Sequence, residues 1–381
     1  MKVVVIGAGA AGLTAGRLLR ERGIDVEILE ASATHGGRVR GLTDFVDVPI
    51  DVGAEWVHHW VKARPPSLRR LFAGEDPDHP TFPYRPQTVA IVRRGKLRRL
   101  DWLRFLAAND HKFVDSSWAQ VIGGGVTPDD AARIRFDSVV ERVEYGESGV
   151  SVTTASGAVI EADKVIVTIP IRMLQLGSIA FVPPLPQTKM RAIHNEVMPG
   201  GLKVFIEFSE CFYPHLLEMG PLWGRGSDGD CSYYDAMLGK PTDRHVLGLF
   251  TQGEKAERYL QQGSDEAIAD YVLAELDDLF DGAATRHHLQ HVVQNWSAEP
   301  FIQGSYSKRA ASAKELAASV ADRVYFAGEA MNPSGQTIAV QGAVESSYVA
   351  VAEMLVEAAP EPPRRTPGTF LSRAGRFVRP R

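Results

Sequence analysis

The chain has 381 residues, which is long for one domain, so two intertwined domains are expected. Its hydrophobic content of 44%, charged content of 23% and net charge of −5 are ordinary for a globular protein and give no reason to expect a nucleic-acid partner. Two cysteines, Cys211 and Cys231, are too few for a disulfide framework and lack metal-ligand spacing, so no metal site is expected.

The N-terminal segment follows the order strand, glycine-rich turn, helix, strand and acidic residue. An apolar run at Val3–Ile6 predicts a parallel strand that is buried on both faces. The loop Gly7–Gly12 follows directly, and a helical stripe covers Leu13–Arg22. A second strand, Val26–Leu29, then leads to Glu30.

This order is the dinucleotide-binding fingerprint in its required context. Gly7 permits the tight turn, Gly9 lets a pyrophosphate approach the backbone, and Gly12 lets helix and strand pack closely. The helix N-terminus offers N–H donors to the phosphates, and Glu30 lies where a carboxylate would accept hydrogen bonds from ribose hydroxyls. The segment therefore predicts a bound dinucleotide without saying which one.

Two stretches after Glu30 carry residues that suit a ligand site. In Gly36-Gly37-Arg38, the arginine is either the partner of an anion or a solvated surface residue, and the local sequence leaves both open. The stretch Asp51–His58 predicts a short strand that passes close to a ligand at Gly53.

The middle of the chain predicts further elements in order. A proline-rich loop covers residues 64–86, and a hairpin covers Val89–Leu100. Helices are predicted over Trp102–Phe113 and around Asp129–Ile134, followed by a β-meander over Val139–Thr154.

The C-terminal half predicts strands at Ala162–Pro170 and Gly201–Phe208, and the latter contains Lys203 among apolar neighbours. An amphipathic helix is predicted over Asp265–Phe280. A strand ending at Gly328-Glu329 precedes a long helix over Thr337–Val356, which suggests a second contact to the same cofactor.

The C-terminal residues from Pro360 to Arg381 are rich in proline and arginine and predict a solvated, disordered tail, with a weak basic anchor as the alternative. No stretch of the sequence is long and apolar enough to span a bilayer, so the cytosol is the expected compartment.

Five blocks of sequence occur in one order along the chain: the N-terminal fingerprint, Glu30-Ala31 with Gly36-Gly37-Arg38, the Asp-x-Gly-Ala-Glu-Trp-Val-His stretch at Asp51–His58, Trp296–Ser307, and Phe326–Ala330 with the following Val-Gln-Gly-Ala. Together they resemble the FAD-dependent amine oxidases, a family of polyamine oxidases, monoamine oxidases and lysine-specific histone demethylases. The resemblance runs from Val3 to about Met354.

The resemblance implies an α/β fold, α+β overall. A Rossmann-like FAD-binding domain with a central parallel sheet and a β-meander would comprise residues 1–62, 126–172 and 320–358. An interleaved substrate domain with a mixed sheet and helices would comprise residues 63–125 and 173–319, and residues 359–381 would form the tail.

The resemblance also implies an FAD site. Glu30 would hold the adenosine ribose, Val140 would meet the adenine, and Arg38 would lie beside the phosphates and flavin. The helix start at Ala339 and Val340 would point N–H groups at the flavin pyrimidine. The full set of cofactor residues is Gly7, Gly9, Ala10, Ala11, Gly12, Glu30, Ala31, Gly37, Arg38, Gly53, Ala54, Glu55, Trp56, Val140, Trp296, Phe301, Gly328, Glu329, Ala339 and Val340.

Three residues match the catalytic positions of the family. Lys203 matches the lysine that holds a water against flavin N5, Tyr306 matches one aromatic wall of the amine pocket, and His58 lies where many polyamine oxidases carry a histidine. Ser305 stands where monoamine oxidases attach the flavin through cysteine, so the FAD is expected to be non-covalent.

The chain departs from the family pattern in several places. Ser32 and Thr34 replace frequent arginines, and the second aromatic wall expected near Ala339 is missing. The interval from His58 to Val139 is also short, which predicts a reduced substrate domain and a pocket that is open or closed by a second subunit.

The implied activity is oxidation of a primary or secondary amine, with a polyamine-like preference. A hydride passes from the α-carbon to FAD N5, the imine hydrolyses, and O₂ reoxidises the flavin to give H₂O₂. The expected partners are the amine and O₂, with a homodimer as a further expectation.

Three alternatives compete with the amine oxidase hypothesis: an amino-acid oxidase, a desaturase similar to protoporphyrinogen oxidase, and a flavin-binding interaction module without turnover. A nicotinamide dehydrogenase is disfavoured, since it would leave the segment at Gly328-Glu329 unexplained.

Overall fold

The computed structural model describes residues 1–59, 65–100, 110–220, 229–308, 312–334 and 338–355. The predicted C-terminal tail lies outside these ranges.

A five-stranded parallel sheet lies at the centre of the dinucleotide-binding region. Its strands, in spatial order, are β10 (Ile134–Arg135), β2 (Asp25–Leu29), β1 (Lys2–Ile6), β14 (Lys164–Val167) and β21 (Val324–Phe326). The apolar side chains of β1 and β14 are buried almost completely on both faces, as the continuous apolar runs predict. Helices α1 (Ala10–Glu21) and α11 (Val340–Met354) pack together on this sheet, and the Ser347 hydroxyl donates to the carbonyl of Ala11 at 2.8 Å.

The predicted β-meander is present as a second sheet. It contains β13 (Val159–Ala162), β12 (Gly149–Thr154), β11 (Val140–Gly146) and β15 (Ala180–Val182) in that spatial order. Short helices follow in the chain or pack nearby: α5 (Ile171–Gln175), α6 (Gln187–Asn195) and α10 (Ala313–Ala317). Because β15 continues this sheet past residue 172, the exact domain boundaries stay a prediction.

A seven-stranded mixed sheet forms the second large layer. Its spatial order is β20 (His288–Asn295), β16 (Gly201–Phe208), β19 (His245–Gln252), β18 (Cys231–Asp235), β17 (Leu216–Met219), β7 (Val89–Arg93) and β8 (Lys96–Arg99). All neighbours are antiparallel except β17 and β7, which run parallel. The helices beside it are α7 (Glu254–Leu260), α8 (Asp265–Leu279) and α9 (Ala283–His287). Every residue of β16 is buried, which explains its lack of polar alternation.

Short elements connect the two regions. Two small sheets pair β3 (Gly41–Leu42) with β4 (Ile50–Asp51), and β9 (Asp110–Phe113) with both β5 (Val57–His58) and β6 (Thr81–Pro83). The remaining helices are α2 (Arg69–Ala73), α3 (Trp118–Gly123) and α4 (Pro128–Ala131), with 3-10 turns at Pro66–Leu68 and Glu329–Met331. The fold is the expected α/β arrangement of a Rossmann-like region and an interleaved mixed-sheet region.

Three local predictions were wrong. The predicted helix over Trp102–Phe113 ends in the strand β9, because pairing with β5 and β6 buries Phe113 against Trp118; residues 102–109 lie outside the described ranges. The helix near Asp129 stops at Ala131, since Ile134 joins the parallel sheet. The predicted loop 64–86 contains α2 and β6.

Candidate active site

One cavity of about 700 Å³ brings together residues that are distant in the sequence. It is lined by the three predicted catalytic residues, Lys203, Tyr306 and His58, and by every predicted cofactor residue except Gly12. Asp110, Phe250, Met173, Leu202 and Ile338 also line it and were not among the predicted residues.

The glycine loop shapes one wall of the cavity. Gly7 has a φ of +100°, which a residue with a side chain rarely adopts. Gly12 lies behind the wall, where a Cβ atom would be 1.9 Å from the carbonyl oxygen of Gly7. Gly12 thus serves the close helix–strand contact, while Ala10 and Ala11, the first residues of α1, face the cavity. The loop and helix start fit a pyrophosphate.

Glu30 follows the last residue of β2, and its carboxylate accepts hydrogen bonds from backbone amides. The amide of Ala8 donates to it at 2.6 Å and the amide of Ser32 at 2.9 Å. The carboxylate is buried at the cavity wall, close to the glycine loop, and so suits the ribose hydroxyls of a dinucleotide. Ser32, which replaces a frequent family arginine, contributes its backbone instead.

Arg38 and Glu329 join the N-terminal and C-terminal parts of the site. Arg38 Nη1 lies 3.0 Å from Glu329 Oε1 and donates to the carbonyl of Ser305 at 2.9 Å. The other oxygen of Glu329 accepts from the Ser307 hydroxyl at 2.5 Å. Arg38 is therefore the partner of a carboxylate and not a solvated surface residue.

Lys203 lies in a buried charged cluster rather than alone among apolar residues. Its Nζ donates to Glu55 Oε2 at 2.6 Å and to the Asp51 carbonyl at 3.0 Å. Glu55 Oε1 lies 2.8 Å from Lys112 Nζ, and the Tyr234 hydroxyl also donates to Glu55. Glu55 was predicted as a cofactor residue; it lines the cavity, and its side chain binds the two lysines.

Two carboxyl groups of this cluster have displaced pKa values in opposite directions. Burial alone would raise the pKa of Glu55, but the charges of Lys112 and Lys203 lower it to about 2. Burial raises the pKa of Asp51 to about 7, against the hydrogen bond that its carboxylate accepts from the Trp118 amide. Glu55 is therefore ionised at neutral pH, while Asp51 titrates there.

His58 is paired with an aspartate that the sequence did not reveal. Nδ1 of His58 lies 2.7 Å from Asp110 Oδ1, and the two residues are direct neighbours in the β5–β9 pairing. The Gln341 amide donates to the His58 carbonyl at 3.1 Å, which fixes the strand to the first turn of α11. Nothing in the sequence signals this pair, because Asp110 lies within the segment Trp102–Phe113 that the sequence predicted as a helix.

An aromatic pair stands where the sequence predicted only one wall. The rings of Tyr306 and Phe250 are 6.2 Å apart and within 10° of parallel, and Phe250 is the β19 neighbour of Lys203. Gln252 Nε2 donates to the Tyr306 hydroxyl at 2.7 Å. Burial raises the pKa of Tyr306, so its hydroxyl stays protonated. Phe250 is thus a second aromatic ring on the cavity wall, at a different place from the one expected near Ala339.

Trp296 closes another part of the wall. Its indole Nε1 donates to the Val52 carbonyl at 3.1 Å, and the guanidinium of Arg40 lies 5.0 Å from its ring centre. Phe301 follows on the same loop and is less buried.

Within the described part of the chain, no helix is long and apolar enough to cross a membrane.

Comparisons with known proteins identify the family of this chain. Residues 125–355 match the family model of the flavin containing amine oxidoreductases, and residues 5–73 match that of an NAD(P)-binding Rossmann-like domain. Polyamine oxidase 2 of Arabidopsis thaliana is 26% identical, with 91% of this chain and 85% of that protein aligned. Lysine-specific histone demethylase 2 of Homo sapiens is also 26% identical, with 87% of this chain and 50% of that protein aligned.

Solved structures share the fold. Cyclohexylamine oxidase from Brevibacterium oxydans IH-35A superposes with a TM-score of 0.74 at 17% identity, over 93% of this chain and 98% of that one. Putrescine oxidase bound to putrescine gives a TM-score of 0.71 at 17% identity, over 94% of this chain and all of that one.

Proposed function

The chain belongs to the family of flavin containing amine oxidoreductases, and on that premise we propose that it oxidises a primary or secondary amine, with polyamine-like amines preferred. It is an FAD-dependent oxidoreductase. The observation that carries the substrate proposal is one cavity lined both by the dinucleotide loop and by Lys203, His58 and the Tyr306–Phe250 pair. Relatives named as polyamine oxidases support the preference for polyamine-like amines.

The glycine loop, Glu30 and the helix start at Ala339 and Val340 would hold FAD. Bound FAD would supply the redox chemistry, as the acceptor of a hydride from the α-carbon of the amine and the donor of electrons to O₂, so that the products would be H₂O₂ and an imine that hydrolyses. The residues of this chain prepare the amine for that step. An alkylamine has a pKa of about 10.4 and arrives as a cation, which must lose a proton before it can give up a hydride. The aromatic faces of Tyr306 and Phe250 attract the cation and exclude water around it.

The His58–Asp110 pair is suited to remove that proton. The Asp110 carboxylate engages Nδ1 of His58 at 2.7 Å, and both residues line the cavity. The proton of the ammonium passes to the imidazole of His58, and the charge of Asp110 stabilises the imidazolium that results.

We propose that FAD is held without a covalent bond. The two cysteines of the sequence, Cys211 and Cys231, are not among the residues that line the cavity, and Ser305 takes the position of the attachment site. A cytosolic location stays a prediction. A homodimer stays a prediction.

An amino-acid oxidase is the second candidate, and the charges of the cavity argue against it. An amino-acid carboxylate calls for an arginine in the pocket. Among the described residues that line the cavity, Arg38 is the only arginine, and Glu329 and Ser305 engage it. A desaturase similar to protoporphyrinogen oxidase leaves the His58–Asp110 pair without a role.

The proposal is tested by mixing the yellow holoenzyme anaerobically with spermidine, tyramine and a neutral amino acid in parallel. We expect spermidine to bleach the flavin absorbance fastest and to yield H₂O₂ once air is admitted. Bleaching by the amino acid alone would support the second candidate. If no amine bleaches the flavin, the oxidase proposal fails. That result would favour the hypothesis of a flavin-binding interaction module without turnover.

A further inference from the structure

Two buried lysines share one glutamate beside the cavity. Lys112 is 1% exposed, Lys203 is 4% exposed and Glu55 is 7% exposed. Each oxygen of Glu55 faces a different ammonium group, Oε1 at 2.8 Å from Lys112 and Oε2 at 2.6 Å from Lys203. We call these three residues the lysine–glutamate triad.

The members of the triad differ in their access to the cavity. Glu55 and Lys203 line it, whereas Lys112 lies behind them. Lys112 is held there by the carbonyl of Ala236 at 2.8 Å and by the rings of Trp56, Tyr84 and Tyr234, whose centres lie 5.2 to 5.6 Å from its Nζ. A tyrosine hydroxyl, that of Tyr234, completes the shell around Glu55.

The triad carries one more positive than negative charge. A simple Glu55–Lys203 pair would be neutral, and the second lysine changes that balance. Three further charged side chains act on the triad: Asp51 on Glu55 and Lys203, Asp235 on Lys112, and Lys240 on Lys112 and Glu55. The variants proposed below leave all three unchanged. Burying a net charge is costly unless a partner charge lies close by. On the side of the triad that faces the cavity, the partner charge would come from a bound flavin, because its isoalloxazine ring gains negative charge on reduction.

We propose that Lys112 is a positioning residue for the flavin reaction: it engages Glu55 from behind, so that the charge of Lys203 toward the cavity is not cancelled. The triad then favours the reduced cofactor electrostatically. This inference rests on FAD occupying the cavity and not on the identity of the amine, so a failure of the amine panel leaves it standing.

The test is the midpoint potential of the bound flavin in the holoenzyme, measured by spectroscopic reductive titration. We expect Lys112→Met to make the potential more negative, because Glu55 then neutralises Lys203. A tenfold change in the reduction equilibrium corresponds to about 30 mV for a two-electron couple. The double variant Lys112→Met/Glu55→Gln again has a net charge of plus one and should recover most of the shift.

Lys189→Met is the control for the loss of a buried lysine side chain, and since burial lowers the pKa of Lys189 to about 7, it tests packing more than charge. Lys189 is also buried, with its Nζ on the carbonyls of Glu315 and Leu316, but it does not line the cavity. We expect this variant to lose stability and to keep the flavin potential. Recovery in the double variant separates a charge effect from a packing effect, since the double variant repairs the charge balance and not the contacts of Lys112.

Two outcomes in the first pair of variants would overturn the proposal: an unchanged potential in Lys112→Met, or an equal shift in the single and double variants.

If Lys112→Met fails to retain FAD, Lys112→Gln removes the charge while keeping an N–H donor for the carbonyl of Ala236. An unchanged potential in Lys112→Gln would then overturn the proposal. Loss of FAD in both single variants that Glu55→Gln does not reverse would also overturn it.

Discussion

Arg38 and Glu329 are separated by 291 positions in the chain, yet Nη1 of Arg38 lies 3.0 Å from Oε1 of Glu329 at the wall of the cavity. Ser305 and Ser307 complete the contact from the aromatic loop, through a carbonyl and a hydroxyl. The cofactor site therefore exists only when both ends of the chain have folded onto the same sheet. Folding and FAD binding should be tightly linked for this reason.

Glu329→Gln is expected to destabilise the protein by about 1–3 kcal/mol, because it removes the charge that pairs with Arg38 and replaces one of the two acceptor oxygens by an N–H donor. The dissociation constant for FAD should rise in parallel. Urea unfolding and FAD titration measure the two effects. Glu144→Gln removes the exposed pair with Arg142 and should change stability by less than about 0.5 kcal/mol. Equal effects of the two variants would contradict the role of the Arg38–Glu329 pair.

Lys203→Met should slow reduction or reoxidation of the flavin by about 100-fold or more while FAD stays bound, since the ammonium next to the cavity is lost and the carbon stem is retained. Rapid-mixing absorbance separates the reductive and oxidative half-reactions. FAD content is measured on the same samples. Unchanged rates in both half-reactions would remove Lys203 from the mechanism.

Asp110→Asn should lower the rate of flavin reduction by about 100-fold, because it withdraws the charge that stabilises a protonated His58. His58→Gln should have an effect of similar size, and the double variant should cost little more than either single change, since the pair acts as one unit. His194→Gln, on an exposed histidine at the end of α6, is the control. Additive losses in the double variant would show that His58 and Asp110 act separately.

Asp51 predicts a pH dependence of stability. Its pKa is about 7 in the folded protein against 3.8 ordinarily, so between these values the folded state holds a proton that the unfolded state has lost. The free energy of unfolding therefore falls as pH rises toward 7, by about 2 kcal/mol between pH 5 and 7 from this group.

Asp51→Asn should remove this fall, because the amide is neutral throughout and can still accept from the Trp118 amide. Lys203 and Lys240 also face Asp51, but the pKa of Lys240, lowered by burial to about 8, lies above this window. Glu55 titrates near 2, below it. Thermal unfolding of both proteins at pH 5, 6 and 7 measures the difference, and parallel curves would refute the assignment.

Local sequence predicted the elements whose patterns are set by near neighbours. The strand Lys2–Ile6, the turn at Gly7, the meander and the buried strand Gly201–Phe208 were read correctly, because continuous or alternating apolar runs and glycine positions are local properties. The family resemblance then brought the distant blocks into one cavity. The strand Asp110–Phe113 was misread, since its partners lie in other parts of the chain.

The amino-acid sequence by itself determined the dinucleotide-binding fold, the family and about half of the residues that line the cavity, because glycine turns and apolar periodicity act over short distances. Only the tertiary structure decided how the charges pair. Lys112, His58 and Asp110 lie on the small sheet of β5, β9 and β6, whereas Lys203 lies on β16 of the seven-stranded sheet and Glu55 on the loop between β4 and β5. The contacts of Glu55 with both lysines, and of His58 with Asp110, therefore depend on segments that are distant in the chain. Electrostatic energies depend on distances and burial, and neither is written in the spacing of residues along the chain.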